Sequence, residues 1–310
     1  MRRSIVFKTL SAALACGALL LGATACEPVR NAPPGGGAVV QGTFRIGPFN
    51  LSPVGQAGSE NQGVQGNMPR PTGAFGIKAM DFDIVYANGD PVPHSAVHLH
   101  HIVMMNMARQ SPNCSQWPER FAAAGSERTP MRVPDPYAYL VGASESWSSI
   151  WHIMNESSSQ QQVYIQYKIG YQPGANASNT RGVSPFFLDV TGCGNSEYSV
   201  PGNGGPGSVH TNTRTWTAPW DGMVVNFGGH VHGGGIDIRL QNDTTGEGCT
   251  MKAHYEHSHS HGSPGSIDTC SAHNRVHAGD RYSLITRYEN DEPLQGVMGI
   301  VLAYVWRGTQ

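Results

Sequence analysis

Along most of the chain the apolar positions alternate with polar ones or form short runs bounded by turn residues, and no window sustains a helical period. Segments such as "QVYIQYKIGY", "SPFFLDVTG", "RYSLITRYEN" and "GVMGIVLAYVWRG" are rich in β-branched and aromatic residues, which suit a pleated surface. In "FGIKAMDFDIVYANGDPVPHSAVHLHHIVMMNMA" two long apolar-rich stretches flank Asn88-Gly89, a pair that predicts a hairpin between them. The polar, glycine-containing stretch "QPGANASNTRGVSP" near the middle is the best boundary. The pattern predicts an all-β chain of two antiparallel sandwich domains, at 43–180 and 181–310.

The beginning of the chain departs from this pattern. "MRRSIVFKTLSAALACGALLLGATAC" carries Arg2, Arg3 and Lys8, then an apolar run, then small residues, which is the layout of an export signal over residues 1–25. Ala23, Thr24 and Ala25 before Cys26 resemble a bacterial lipobox, with Ala where Leu is usual. Residues 26–42, rich in Pro and Gly, predict a flexible tether, so the expected location is the bacterial cell envelope, either lipid-anchored at Cys26 or secreted.

Composition agrees with a turn-rich β protein, since 310 residues include 39 glycines and 21 prolines. Charged residues are 14% against a usual share of about 25%. The net charge of -2, without runs of like charge, gives no basis for a nucleic-acid partner. Cys114, Cys193, Cys249 and Cys270 remain in the exported body and predict two disulfides. Closing the short Cys249–Cys270 loop costs the least entropy, which leaves Cys114 for Cys193 and ties the two halves together.

Histidine is the informative excess, at fourteen residues. In "GGHVHGGG", His230 and His232 fall on one side of a strand, so both can reach one ion, and the glycines around them leave room for it. "HSAVHLHHIVMM" supplies His94, His98, His100 and His101. There, period two pairs His98 with His100, whereas His100 and His101 point oppositely unless the strand bends or one ligand uses Nδ1. The tract "HYEHSHSH", from His254 to His261, is a loose ion binder at most. Imidazole suits copper, zinc, iron and nickel alike, so spacing does not choose the metal. Neither a nucleophile elbow nor His-Glu-x-x-His nor a phosphate-binding glycine loop is present, so hydrolase and nucleotide readings lack support.

In order, "VHLHHIVMM", "NFGGHVHGGGIDIRL" and "HAGDRYSLITRYENDEPLQGVMGIVLAYV" resemble the copper type II, ascorbate-dependent monooxygenases, the group of peptidylglycine hydroxylating monooxygenase and dopamine beta-monooxygenase. A closer resemblance, through "LHHIVM", "VYIQYKIGY", "LDVTGCG", "GGHVHGGGIDIRL" and "VMGIVLAYV", is to the stress up-regulated nodulin family. The resemblance implies two sandwich domains side by side. It also implies one copper on His100 and His101, a second on His230, His232 and Met298, and O2, a reductant such as ascorbate and a small-molecule or peptide substrate as partners. The chain departs from the group where a third histidine completes the first site, because "VYIQYKIGY" offers only Lys168 or Ile169 there. His210 is the first substitute, His152 the next, and an incomplete site the third alternative. Two functions follow: a monooxygenase holding one or two coppers, or a non-catalytic envelope protein that binds or delivers copper.

Overall fold

The computed structural model describes residues 37–255, 262–270 and 274–308. The expected signal, Cys26 and the histidines at 257, 259 and 261 lie outside the described residues. Pro33–Gln310 forms one compact unit. Among the described residues there is no helix, and the strands make mostly antiparallel sheets.

Two sheets come from the first half. In one, Val40–Leu51, Gln161–Pro173, Phe75–Val85, Tyr137–Val141 and Arg181–Gly182 lie in that order. In the other, the order is Glu60–Gln65, Trp147–Asn155, Val97–Gln110 and Pro118–Gly125. Aromatic rings fill the space between them: Phe121 stacks on Tyr139 of the opposite sheet at 5.0 Å and packs against Trp147 at 4.7 Å. From Ser184 onward the strands pair among themselves. Ser184–Asp189, Gly299–Trp306 and Gly222–Val231 form a third sheet, while Val209–Thr217, Arg281–Glu289, Gly235–Asn242 and Gly248–His254 are successive neighbours in a fourth. Phe227, Val231, Ile238, Leu240, Leu284 and Val301 belong to the core that joins these two.

Two expectations are corrected. Phe75–Val85 and Val97–Gln110 do not pair as a hairpin but enter different sheets. Asn88-Gly89 instead turns a tight loop, in which the Tyr86 amide donates to Asp90 O and Gly89 takes a φ of +97°. The local turn signal was real, but burial of both apolar stretches on opposing sheets decided the pairing. The tether also ends earlier than residue 42, because Val40 already pairs with Tyr171 in the first sheet.

Alternation then determines what the third sheet shows on each side. Phe227, Val231, Val301, Ala303 and Val305 point into the core shared with the fourth sheet. His230 lies opposite Ile300 on the other face, and Met298, Ile300, Leu302 and Tyr304 join the core that contains the first half. That face meets the outer face of the second sheet: Tyr304 Oη donates to Phe121 O at 3.0 Å, and Thr129 Oγ1 donates to Gly229 O at 3.0 Å. Disulfides Cys114–Cys193 and Cys249–Cys270 are both formed, the first joining the two halves.

Candidate metal centre between the sheets

The first group of histidines exists because a strand is irregular. In Val97–Gln110, Leu99 pairs with Ile153 and His101 with His152, so His100 is one extra residue in the ladder. Such a bulge breaks the alternation locally and re-aims a side chain. His100 and His101, which regular pleating would send to opposite faces, thereby come together with Nδ1 atoms 3.0 Å apart. His152, from the neighbouring strand, completes a trio whose ligand atoms all lie within 4.8 Å of one another. Metal–nitrogen bonds of about 2.0–2.1 Å fit these spacings.

Each histidine of the second group is held by one ring nitrogen and leaves the other bare. His230 Nδ1 is 3.0 Å from Glu127 Oε1, and His232 Nδ1 is 2.7 Å from Gly296 O. With Nδ1–H donated to these acceptors, each imidazole in its neutral form presents Nε2 as a lone pair. These two Nε2 atoms are buried and have no hydrogen-bond partner. Burying such an acceptor unpaired is costly. A carboxylate or carbonyl behind a neutral histidine is the usual support of a metal ligand. The main chain of His232 is pinned as well, since its amide donates to Tyr288 Oη and that hydroxyl donates to Met298 O.

The two groups form a continuous array. The rings of His100 and His232 have centroids 4.5 Å apart, His100 and His152 4.6 Å, and His230 and His232 5.0 Å. Loss of water, together with repulsion from neighbouring imidazoles, lowers His100 to about 3, His101 to about 4 and His232 to about 2. Burial opposes charge on His230 too, but the Glu127 carboxylate beside it outweighs this and raises its pKa. At neutral pH His100, His101 and His232 are therefore neutral nitrogen donors facing one another, as a soft or borderline metal ion requires.

Met298 is buried and lines the same cavity as His101 and His230. It directly precedes Gly299, which pairs with Val231 between the two histidines. His210 is not brought into the first trio: it sits in Val209–Thr217, opposite Tyr288, in the fourth sheet. His152 occupies the place for which His210 was the first choice, because bulge and register align it with His101. His254, from the histidine tract, pairs with Asp268 on the surface.

Glu127 and Gly125 carry no signal in the sequence, since an isolated acid a hundred residues from its histidine has no spacing to read. The buried Glu127 also accepts from the Gly125 amide at 3.1 Å. A Cβ on Gly125 would stand 2.5 Å from His230 Cε1, so the imidazole occupies the space a side chain would need. The glycines around His230 turn out to serve the backbone more than access. Gly234 has a φ of +79°, and a Cβ on Gly235 would lie 2.7 Å from Val231. Gly233 alone lines an open cavity, together with His98, His100 and His232.

Two hollows meet the array. The open one, of about 450 Å³, lies on the His98, His100 and His232 side. The other, of about 120 Å³, is mainly apolar and is lined by His101, His230, Met298, Val103, Ile300 and Leu302 among others.

No known protein-family profile matches the chain. It is similar to a protein named probable copper-dependent oxygenase M1 from Phoma sp., at 25% identity over 262 residues, covering 75% of this chain and 64% of the relative. It is also similar to one named probable copper-dependent oxygenase clz3 from Cochliobolus lunatus, at 26% over 255 residues, covering 74% of this chain and 79% of that one. The chain thus spans about two-thirds of the length of M1. Solved structures with a partial likeness include PNGF-II, with a TM-score of 0.40, 10% identity and coverage of 84% and 64%. Another is the major capsid protein P2 of bacteriophage PM2, with a TM-score of 0.36, 9% identity and coverage of 86% and 97%.

Proposed function

We propose that this chain is a copper-dependent oxygenase-like enzyme whose metal centre lies between its two halves, each half being a sandwich domain. One observation carries the proposal: the buried Nε2 atoms of His230 and His232 lack partners while their Nδ1 atoms are tied back. Three further histidines stand beside them. Copper fits this donor set, since imidazole suits it and a thioether favours its reduced form. The printed names of M1 and clz3 agree with copper and with O2 as a partner.

Copper, when bound, would supply one-electron redox chemistry and a binding position for O2. The rest is the work of the protein. Glu127 and Gly296 hold the second pair of imidazoles in the tautomer that donates through Nε2. The bulge at His100 brings the first trio together. The apolar cavity keeps water from the face shared by His101, His230 and Met298. A C–H group seated there would be converted to C–OH, with the second oxygen atom leaving as water and an ascorbate-like reductant giving the two electrons and two protons that this water requires.

We further propose that the chain is exported and anchored at Cys26. Support comes from the apolar leader with its small residues before Cys26 and from the two disulfides, which persist in oxidising compartments. Among the described residues no helix is long and apolar enough to cross a membrane.

Oxygen uptake by the copper-loaded chain with ascorbate tests the enzymatic reading. Reductant-dependent uptake, lost in His230→Ala, is the expected result. A chain that holds copper without such uptake is instead a binding or delivery protein.

A further inference from the structure

We propose that the apolar cavity at the metal centre binds an anionic substrate group on Arg120, so that the substrate is an amphipathic acid whose carboxylate lies away from the metal and whose apolar chain runs toward it. This rests on the copper reading for its catalytic meaning, but not for the binding itself.

Arg120 lies in Pro118–Gly125 opposite Met105, and His101 lies opposite Gly125 of the same strand. The side chains of Arg120 and His101 line one cavity, with Val103 and Ala123 between them. Four strand residues separate His101 from Met105, roughly 13 Å at about 3.3 Å per residue. The cavity is therefore bordered by imidazoles toward one end of this strand pair and by a guanidinium toward the other. Its walls, Ile150, Ile300 and Leu302 among them, are apolar and offer a hydrocarbon chain its solvent.

The guanidinium is poised for an anion. Its Nε and Nη2 atoms are buried and donate to nothing in the protein. Its plane is supported by Phe187, whose ring centroid lies 3.8 Å from Cζ. Loss of water lowers its pKa to about 10, with the Asp189 carboxylate acting the other way, so it stays charged at neutral pH. Asp189 is the nearby acid, yet one of its oxygens takes the Thr191 amide and hydroxyl and the other has no partner. It makes no ion pair with Arg120 within 4.0 Å among the described residues. Nε and one Nη form the edge of the guanidinium fork that grips a carboxylate bidentately. Buried donors left unpaired on a half-buried cation are otherwise expensive to keep.

Calorimetric titration of decanoate, and of decan-1-ol as the uncharged control, into the full chain with and without copper tests this. Decanoate should bind one to one and more tightly than the alcohol. Arg120→Gln should weaken decanoate about ten- to a hundredfold and leave the alcohol unchanged. Arg120→Lys should recover part of the loss, and copper content should be the same in all three proteins. Equal binding of acid and alcohol by the wild type overturns the proposal, as does full affinity for decanoate in Arg120→Gln. If both variants fail to fold, the wild-type comparison still decides. Copper uptake without a preference for the acid defeats the Arg120 anchor alone. A preference for the acid in a chain that takes up no copper leaves the anchor standing and defeats the oxygenase reading.

Discussion

The two histidine groups are built differently, although they touch. His230 and His232 are each held from behind, by Glu127 and Gly296 O; His230 sits in the regular end of Gly222–Val231 and His232 directly follows its last residue. His100 and His101 have their Nδ1 atoms 3.0 Å from each other and owe their meeting to a bulge. The second group is a preorganised holder, whereas the first is assembled by an irregularity and lacks such support for His100 and His101. The difference teaches that a metal should meet little reorganisation in one group and should itself organise the other.

The largest expected effect breaks the first group. His152→Ala should remove one tightly held copper per chain, while His210→Ala should leave copper content unchanged, because His210 lies in the fourth sheet. Metal analysis after exhaustive dialysis separates the two, and loss of copper in the His210 variant would restore it as a ligand.

A smaller effect sharpens the account of the second group. Glu127→Gln keeps the shape but removes the charge behind His230, so copper there should weaken about ten- to a hundredfold with the first group unaffected. Gly125→Ala reaches the same ring sterically, and overpacking of this kind costs about 1–3 kcal/mol. Competition with a calibrated chelator, paired with thermal unfolding, reads both. Equal copper affinity in wild type and Glu127→Gln would show that the carboxylate positions nothing.

The smallest effect concerns Met298. Met298→Ile roughly conserves volume, so stability should change by less than about 1.5 kcal/mol. X-ray absorption of the Cu(I) form should lose a sulfur scatterer present in the wild type. Absence of sulfur in both would return Met298 to a packing role.

How far the sequence could be read follows the same division. Alternation in "GGHVHGGGIDIRL" was enough to bring His230 and His232 together, since the strand is regular up to Val231 and their rings lie 5.0 Å apart. The meeting of His100 and His101 was legible only as a condition, namely that the strand bends or one ligand uses Nδ1, and nothing in "VHLHHIVMM" announces the extra residue. His152 and Glu127 reach the site through long-range register and packing between the halves, which a local pattern does not encode. The all-β class and the Cys249–Cys270 pairing came from short-range features, strand alternation and loop closure, and the long-range Cys114–Cys193 pairing followed from them by elimination. The hairpin at Asn88-Gly89 failed because burial of whole strands outweighs one turn.

The most direct test of the central claim is a Cu(II) titration of the intact chain followed by pulsed electron paramagnetic resonance. The account predicts two tightly bound coppers per chain, with signals from the remote nitrogen of coordinated imidazole. His230→Ala should lose one copper and keep the other. A chain that retains no copper after dialysis, or whose copper shows no imidazole nitrogen, would contradict it.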